Sequence, residues 1–380
     1  MIDRLERLRK TLHRFPDLSG AEGGTAERIR HFIREHAAAE IIGDMGDQSF
    51  AAVYAFPGPG PTVMIRCELD ALPITETGEL AHRSTVAGVS HKCGHDGHMA
   101  IACGVLQWLT ERSFAGGRVA VLFQSAEETG RGARQVVGSE AFRSIAPDYV
   151  FALHNIPGEP LHEIITVEGT FSSEVRSFAV VLTGVECHAA EPENGINPTA
   201  AVGVLIGALA ELQLAEPYDP NYALLTPVHV SVGQKSYGIS PGSGELHYTV
   251  RARTGQKMQA LVTAVTDLIG RTAAAHGLTC RLDWFEHFPA TRNNAEANTL
   301  IRNATQRRGL TLNERPHPFA FGEDFGWFSG HAKVAMFGLG AGEEMPALHH
   351  PDYDFPDDLI ATGVSVFSTI IGQLLPGVEQ

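Results

Sequence analysis

Between His91 and His98 the chain reads His-Lys-Cys-Gly-His-Asp-Gly-His, which puts His91, Cys93, His95 and His98 within one short stretch. Thiolate and imidazole are both good ligands for zinc-like divalent ions. Cys93 and His95, two positions apart around a glycine, can aim at one point. A single cysteine or histidine would read as a packing or surface residue; this density reads as a metal site. The helix expected to open near Gly97, with Asp96 as its N-cap, would set its positive end beside the loop and lower the thiol's proton affinity.

Four further polar clusters accompany it: Arg66 to Asp70, Gln124 to Glu128, His154-Asn155 and His349-His350. Adjacent glutamates are usually a solvated pair. Beside a metal loop, Glu127 and Glu128 can divide two jobs, one carboxylate binding the ion and its neighbour taking a proton from activated water. His154 and His349, taken singly, suit a core position as well as a ligand position.

The elements that must position these residues follow from periodicity. Helical spacing predicts helices over 3–12 and 25–36, with a Pro/Gly-punctuated loop at 15–20, and a third from Asp96 onward carrying Ile101, Val105, Trp108 and Leu109. Apolar runs predict strands at 62–65, after the turn-rich 57–61, and at 117–123, 148–153 and 333–339. Strands alternating with helices give an α/β catalytic domain with a mostly parallel sheet. In such sheets ligands bind beyond the carboxyl ends of the strands, and all the polar clusters follow strands.

The middle of the chain reads differently. Strands at 176–183, 223–232, 245–253 and 279–287, with helices at 198–214 and 257–276, follow the order β-α-β-β-α-β of a ferredoxin-like α+β unit. The expected organisation is therefore an α/β domain from residues 1–169 and 289–380, interrupted by a second domain at 170–288.

Composition narrows the function classes. With 380 residues and 43% apolar content the chain can fill two cores. A net charge of −15 disfavours a nucleic-acid partner and an anionic membrane surface. No apolar run is long enough to span a bilayer, and the charged, leucine-bearing N-terminus is not a secretory signal, so a cytoplasmic location is expected. Cys67, Cys93, Cys103, Cys187 and Cys280 are odd in number and scattered, which points to free or metal-bound thiols. Cys103, Cys187 and Cys280 are expected to be packing residues.

The motifs in their order resemble the M20 family of metallopeptidases, in particular its N-acyl-amino-acid amidohydrolases. That group includes hippurate hydrolases, aminoacylases and the plant enzymes that release auxin from amino-acid conjugates. The resembling segments are His13 to Ser19, Arg66 to Pro73, His91 to His98, Gln124 to Glu128, His154, His188-Ala189 with Pro192, Glu323 to Phe325, and Leu348-His349 with Pro351. The resemblance implies two divalent ions, manganese or zinc with cobalt and nickel also compatible, held by Cys93, His95, Glu128, His154 and His349. It implies Glu127 as general base, Asp70 as a residue that orients a ligand, and His188 as a stabiliser of the oxyanion. It further implies that 170–288 is a lid and homodimerisation domain, and that the substrate is an N-acyl amino acid or dipeptide cleaved by metal-activated water.

Four departures stand out. Glu68 replaces the usual aspartate, and Ser125 replaces a proline. Gly184 to His188 is poorer in glycine than its counterparts, and Tyr237 to Pro241 differs from the common Asn-Val-Ile-Pro. Three other readings compete: a dipeptidase or carboxypeptidase on the same machinery, a Cys93 nucleophile with a histidine base, and a non-catalytic metal binder. A mere binder would have no need of the base that Glu127 supplies.

Overall fold

The computed structural model describes residues 1–377 except 215, 217, 218 and 220. Its chain forms two compact units, one from Met1–Phe171, Thr291–His317 and Glu323–Gln380, the other from Ser172–Ala290 with Pro318–Gly322.

The first unit is built on an eight-stranded sheet. Across it run Glu40–Ile42, Phe50–Ala55, Gly116–Gln124, Gly58–Glu68, Tyr149–Ile156, Lys333–Gly340, Ile164–Val167 and Leu312–Arg315. The four central strands, from Gly116–Gln124 to Lys333–Gly340, are mutually parallel. Val119–Phe123 and Val150–Leu153 read as unbroken apolar runs because both faces of these strands are covered, and every residue in them is buried. Helices Ile2–Arg14, Gly23–His36, His95–Thr110, Ala295–Arg307 and Leu359–Leu374 contribute Leu5, Ile29, Ile101, Ile301 and Phe367 to the same core. Each such side chain adds about 1.5–3 kcal/mol when taken fully out of water.

Two local expectations are corrected. The strand at 62–65 begins earlier, at Gly58, inside the proline- and glycine-rich run. A Cβ on Gly58 would lie 2.4 Å from the Ala115 carbonyl oxygen, so the bare backbone lets the two chain segments meet and extends the pairing. Asp96 does not cap the third helix: the N-cap is Gly94, in the left-handed region at φ 96° and with no side-chain cap. The Asp96 carboxylate is drawn instead to His13 Nδ1 at 2.9 Å and Arg9 Nη1 at 3.2 Å, because two buried cations outbid a backbone N–H.

The second unit is an antiparallel sheet in the order Ala223–Val232, Ser243–Ala252, Glu174–Thr183, Thr279–Phe288. Alternation along Ser243–Ala252 buries Leu246, Tyr248, Val250 and Ala252 on one face and leaves Glu245, His247, Thr249 and Arg251 half-buried on the other. Helices Thr199–Ala210 and Gly255–Ala275 supply Leu205, Leu209, Val265 and Ile269 to the core on the buried side. Strand order and helix placement are those of a ferredoxin-like unit. Cys103 is fully buried as expected, but Cys187 is half-buried and Cys280 exposed, so Cys280 has no packing role.

Candidate metal centre

The polar clusters of the first unit lie at the carboxyl ends of its parallel strands. Gly58–Glu68 runs into Leu69-Asp70, Gly116–Gln124 into Ser125 to Glu128, and Tyr149–Ile156 carries His154 near its end. The loop before helix His95–Thr110 is held against this edge by Gly94. A side chain there would collide with Asn155, whose Oδ1 is 2.5 Å from where a Cβ would stand. That close approach sets Cys93 Sγ 3.5 Å from His154 Nε2.

The turn at the glutamates is equally constrained. Ala126 adopts φ 53°, a strained conformation for any residue with a side chain and one that clusters at functional sites. Its N–H donates to Glu22 Oε1 at 2.7 Å, and its carbonyl accepts from Arg131 N and Gly132 N. Asp70 ties this turn to the metal loop: Oδ2 accepts from Glu128 N at 2.9 Å and from Ser19 Oγ at 2.6 Å, while its own carbonyl accepts from His95 Nδ1 at 2.9 Å. With Nδ1–H spent on that carbonyl, His95 turns Nε2 toward the centre.

Ligand-capable atoms of Cys93, His95 and His154 lie within 4.8 Å of one another, as do those of Cys93, Glu128 and His349, and those of His95, Glu127 and Glu128. Bonds of about 2.0–2.3 Å to one ion separate tetrahedral ligand atoms by roughly 3.3–3.8 Å, close to the spacings seen here. His95 Nε2 and Glu128 Oε1 are buried, lack a hydrogen-bond partner and stand 3.9 Å apart. Leaving such atoms unpaired in a protein interior is costly, so the donor set fits a cation. His13, His82 and Asp354 form a comparable group. There the ring nitrogens are already engaged, His13 by Asp96 and Glu76 and His82 by Asp354 and Arg9.

The electrostatics point the same way. His154 falls to about 3 through burial and the neighbouring His98, leaving a neutral imidazole, the form that binds a metal ion. His95 is pushed up to about 10: burial opposes its charge, but Asp70, Glu68 and Glu128 overcome it. Glu127 is driven well above the usual carboxylate range by burial and by Glu323, Glu128 and Asp324. The helix start does not lower the Cys93 thiol as expected; burial, Glu128 and Glu127 raise it well above an ordinary thiol. A divalent ion would reverse that shift and favour the thiolate.

His349 sits at φ 66° with its N–H on the Lys92 carbonyl and its half-exposed ring Nε2 3.9 Å from Glu128 Oε2. His188 belongs to the other unit, in the short pairing of Cys187–His188 with Ile239–Ser240, where it is exposed and its Nδ1 accepts from Ala190 N. His98 and Glu68, to which the sequence assigned no task, are joined at 2.7 Å, and His98 Nε2 meets Asn155 Oδ1 at 2.6 Å. The longer Glu68 side chain thereby connects Arg66 to the strand that bears His154.

Sequence reasoning passed over the cluster behind Glu127. Arg66, fully buried, reaches Glu68, Glu323 at 2.9 Å and Asp324 at 2.6 Å, and donates Nε–H to Gln124 Oε1. Asp324 N donates to Glu127 Oε1 at 3.4 Å. The signal was the charged Glu323-Asp324 pair beside Phe325, too far along the chain to be matched with Arg66 by spacing.

Residues 64–373 match peptidase family M20/M25/M40. The chain is 30% identical to N-acetylcysteine deacetylase of Bacillus subtilis (strain 168), over 97% of this chain and 96% of that one. It is 25% identical to hippurate hydrolase of Campylobacter jejuni, over 96% and 95%. Among solved structures it resembles a dinuclear metal binding peptidase of the M20 family from Bacillus subtilis, with TM-score 0.82, 28% identity and coverage of 97% and 96%.

Proposed function

Because the chain belongs to peptidase family M20/M25/M40 it is a metal-dependent amide hydrolase, and we propose that it deacylates N-acyl amino acids. The observation that supports this most is the meeting of Cys93, His95, Glu128, His154 and His349 around the unpartnered His95 Nε2 and Glu128 Oε1, with Glu127 beside them. The names of the deacetylase and hippurate hydrolase relatives support the substrate class.

In this reading those five residues hold two divalent ions, manganese or zinc, and Glu127 acts on the water. The ions would polarise the amide carbonyl and make water acidic enough to attack near neutral pH. Glu127 takes the proton as the water oxygen joins the carbonyl carbon. It returns that proton to the amine nitrogen as the C–N bond breaks, leaving a carboxylate and a free amine. Asp70 keeps His95 and the Glu128 backbone in place. His188 is assigned to the oxyanion, as a hydrogen-bond donor from the lid.

Hydrolysis of hippurate, N-acetyl amino acids and dipeptides, measured after chelation and again after adding back manganese, zinc, cobalt or nickel, tests the reading. Activity should vanish with chelator, return with metal and favour acylated substrates. A preference for free-amine dipeptides would replace it with a dipeptidase, and activity that survives chelation would replace it with a Cys93 nucleophile.

The second unit is further assigned to homodimerisation. Ala223–Val232 is an edge strand with Val228 and Val230 exposed, and helix Thr199–Ala210 leaves Val204 and Ile206 exposed beside two glycines. An unpaired strand edge with apolar neighbours is a surface that natural proteins usually cover. Sedimentation should give a dimeric mass for the wild type and a monomeric one for Val204→Glu combined with Val228→Lys; a monomeric wild type refutes the assignment. A cytoplasmic location is proposed on the unpaired thiols. No helix among the described residues is long and apolar enough to cross a membrane.

A further inference from the structure

We propose that His13 is a positioning residue for the metal centre, holding in shape the short loop that presents Cys93 and His95. The inference rests on the reading of those two residues and His349 as metal ligands. His13 acts on them through the residues that flank them.

Helix Ile2–Arg14 carries His13 in its last turn, with the ring fully buried. Nδ1 lies 2.9 Å from Asp96 Oδ2 and Nε2 lies 3.0 Å from Glu76 Oε1. Between two carboxylates the ring donates from both nitrogens as an imidazolium. Burial opposes that charge, but Asp96 and Glu76 overcome it and push the pKa up to about 9. The same Glu76 oxygen accepts from Lys92 Nζ at 2.6 Å. A path of buried, charge-assisted contacts therefore runs from Lys92 through Glu76 and His13 to Asp96.

The ends of this path flank the ligands. Lys92 stands directly before Cys93 and Asp96 directly after His95, so the path closes the backbone of 92–96 into a ring that contains both. Gly94 lies inside that ring at φ 96°. Glycine has more backbone freedom than any other residue, so a loop that turns on it keeps its ligands at fixed spacing only if it is held from outside. Lys92 also reaches the His349 loop: its carbonyl accepts from His349 N at 2.8 Å, and its Nζ donates to the Tyr353 carbonyl at 2.7 Å. His13 thus ties three ligand residues on two loops to one helix.

The test adds cobalt(II) alone to the metal-free, full-length protein. Affinity is measured by competition with a chromophoric chelator, the thiolate-to-cobalt absorption band reports Cys93, and thermal melting without metal reports the fold. For His13→Gln we expect cobalt affinity weaker by about tenfold to a hundredfold, an altered thiolate band, and a cooperative melt retained without metal. Asp96→Asn should behave alike, and the double variant should lose less than the product of the two single losses, because both break one contact. Glu76→Gln keeps the size of the side chain and an oxygen to accept from Lys92 and His13; it should weaken affinity about tenfold, and it is the deciding variant if metal-free His13→Gln does not fold. Wild-type affinity and band in a folded variant, single losses that multiply in full, or a lowered metal-free melting temperature with unaltered affinity each overturn the assignment. A wild type that binds no cobalt, or binds it without a thiolate band, instead overturns the reading of the ligands. A wild type that shows the band beside folded variants indistinguishable from it overturns the role of His13 alone.

Discussion

Glu127→Gln is expected to lower kcat by about a thousandfold while the protein binds its metal as before. The amide preserves the shape of the side chain and leaves an oxygen to accept from Asp324 N, which lies 3.4 Å from Glu127 Oε1 in the wild type. What it removes is the ability to take up and return a proton. Glu128, by contrast, has an oxygen 3.9 Å from His95 Nε2 and shares a ligand group with Cys93 and His349, so Glu128→Gln should lose metal together with activity. Turnover and metal content measured on both variants separate base from ligand. Wild-type turnover by Glu127→Gln would refute its role, and loss of metal from that variant would mean that the two glutamates had been given each other's tasks.

Arg66→Met should be the most destabilising single change near the centre. Burial works against the Arg66 charge, yet Glu323, Glu68 and Asp324 hold it protonated far above the ordinary range. Removing it leaves three buried carboxylates without their cation, and breaking a buried pair in this one-sided way costs about 3–5 kcal/mol. For a unit of this size that corresponds to a fall in melting temperature of roughly 10 °C. The deficit should also depend on pH. An unpaired buried carboxylate has a folded-state pKa above its unfolded value, so the folded variant binds more protons and its stability declines as pH rises. Thermal melts of wild type and variant at pH 5.5 and pH 8 should therefore diverge toward the alkaline side; a constant difference would mean that lost packing, and not exposed charge, explains the effect.

These two outcomes differ in how far the sequence anticipates them. The pair Glu127-Glu128 stands out at once after a strand, and a division into base and ligand is chemically natural. The sequence alone does not say which is which, because adjacent residues at the end of a strand can point to either side of a turn. The left-handed Ala126 and the bond from Glu128 N to Asp70 fix how the turn presents the two side chains. The cluster around Arg66 lies further out of reach, since its bond to Asp324 joins residues 258 positions apart.

The sequence by itself determined the chemistry on offer. Cysteine and histidine at close spacing name the ligand types, strand-helix alternation puts the polar clusters on one sheet edge, and the order of elements at 170–288 gives the ferredoxin-like unit. All of that is written in local spacing, which the period of a helix or strand converts directly into geometry. Tertiary structure decided what depends on neighbours distant in sequence and on exclusion of water. It moved Asp96 from a helix cap to His13 and Arg9, reversed the expected shift of the Cys93 thiol, and gave Asp70 its three contacts at the centre. It also buried Arg66 and Lys92. Burial and through-space charge set these outcomes, and neither has a period that a linear sequence can display.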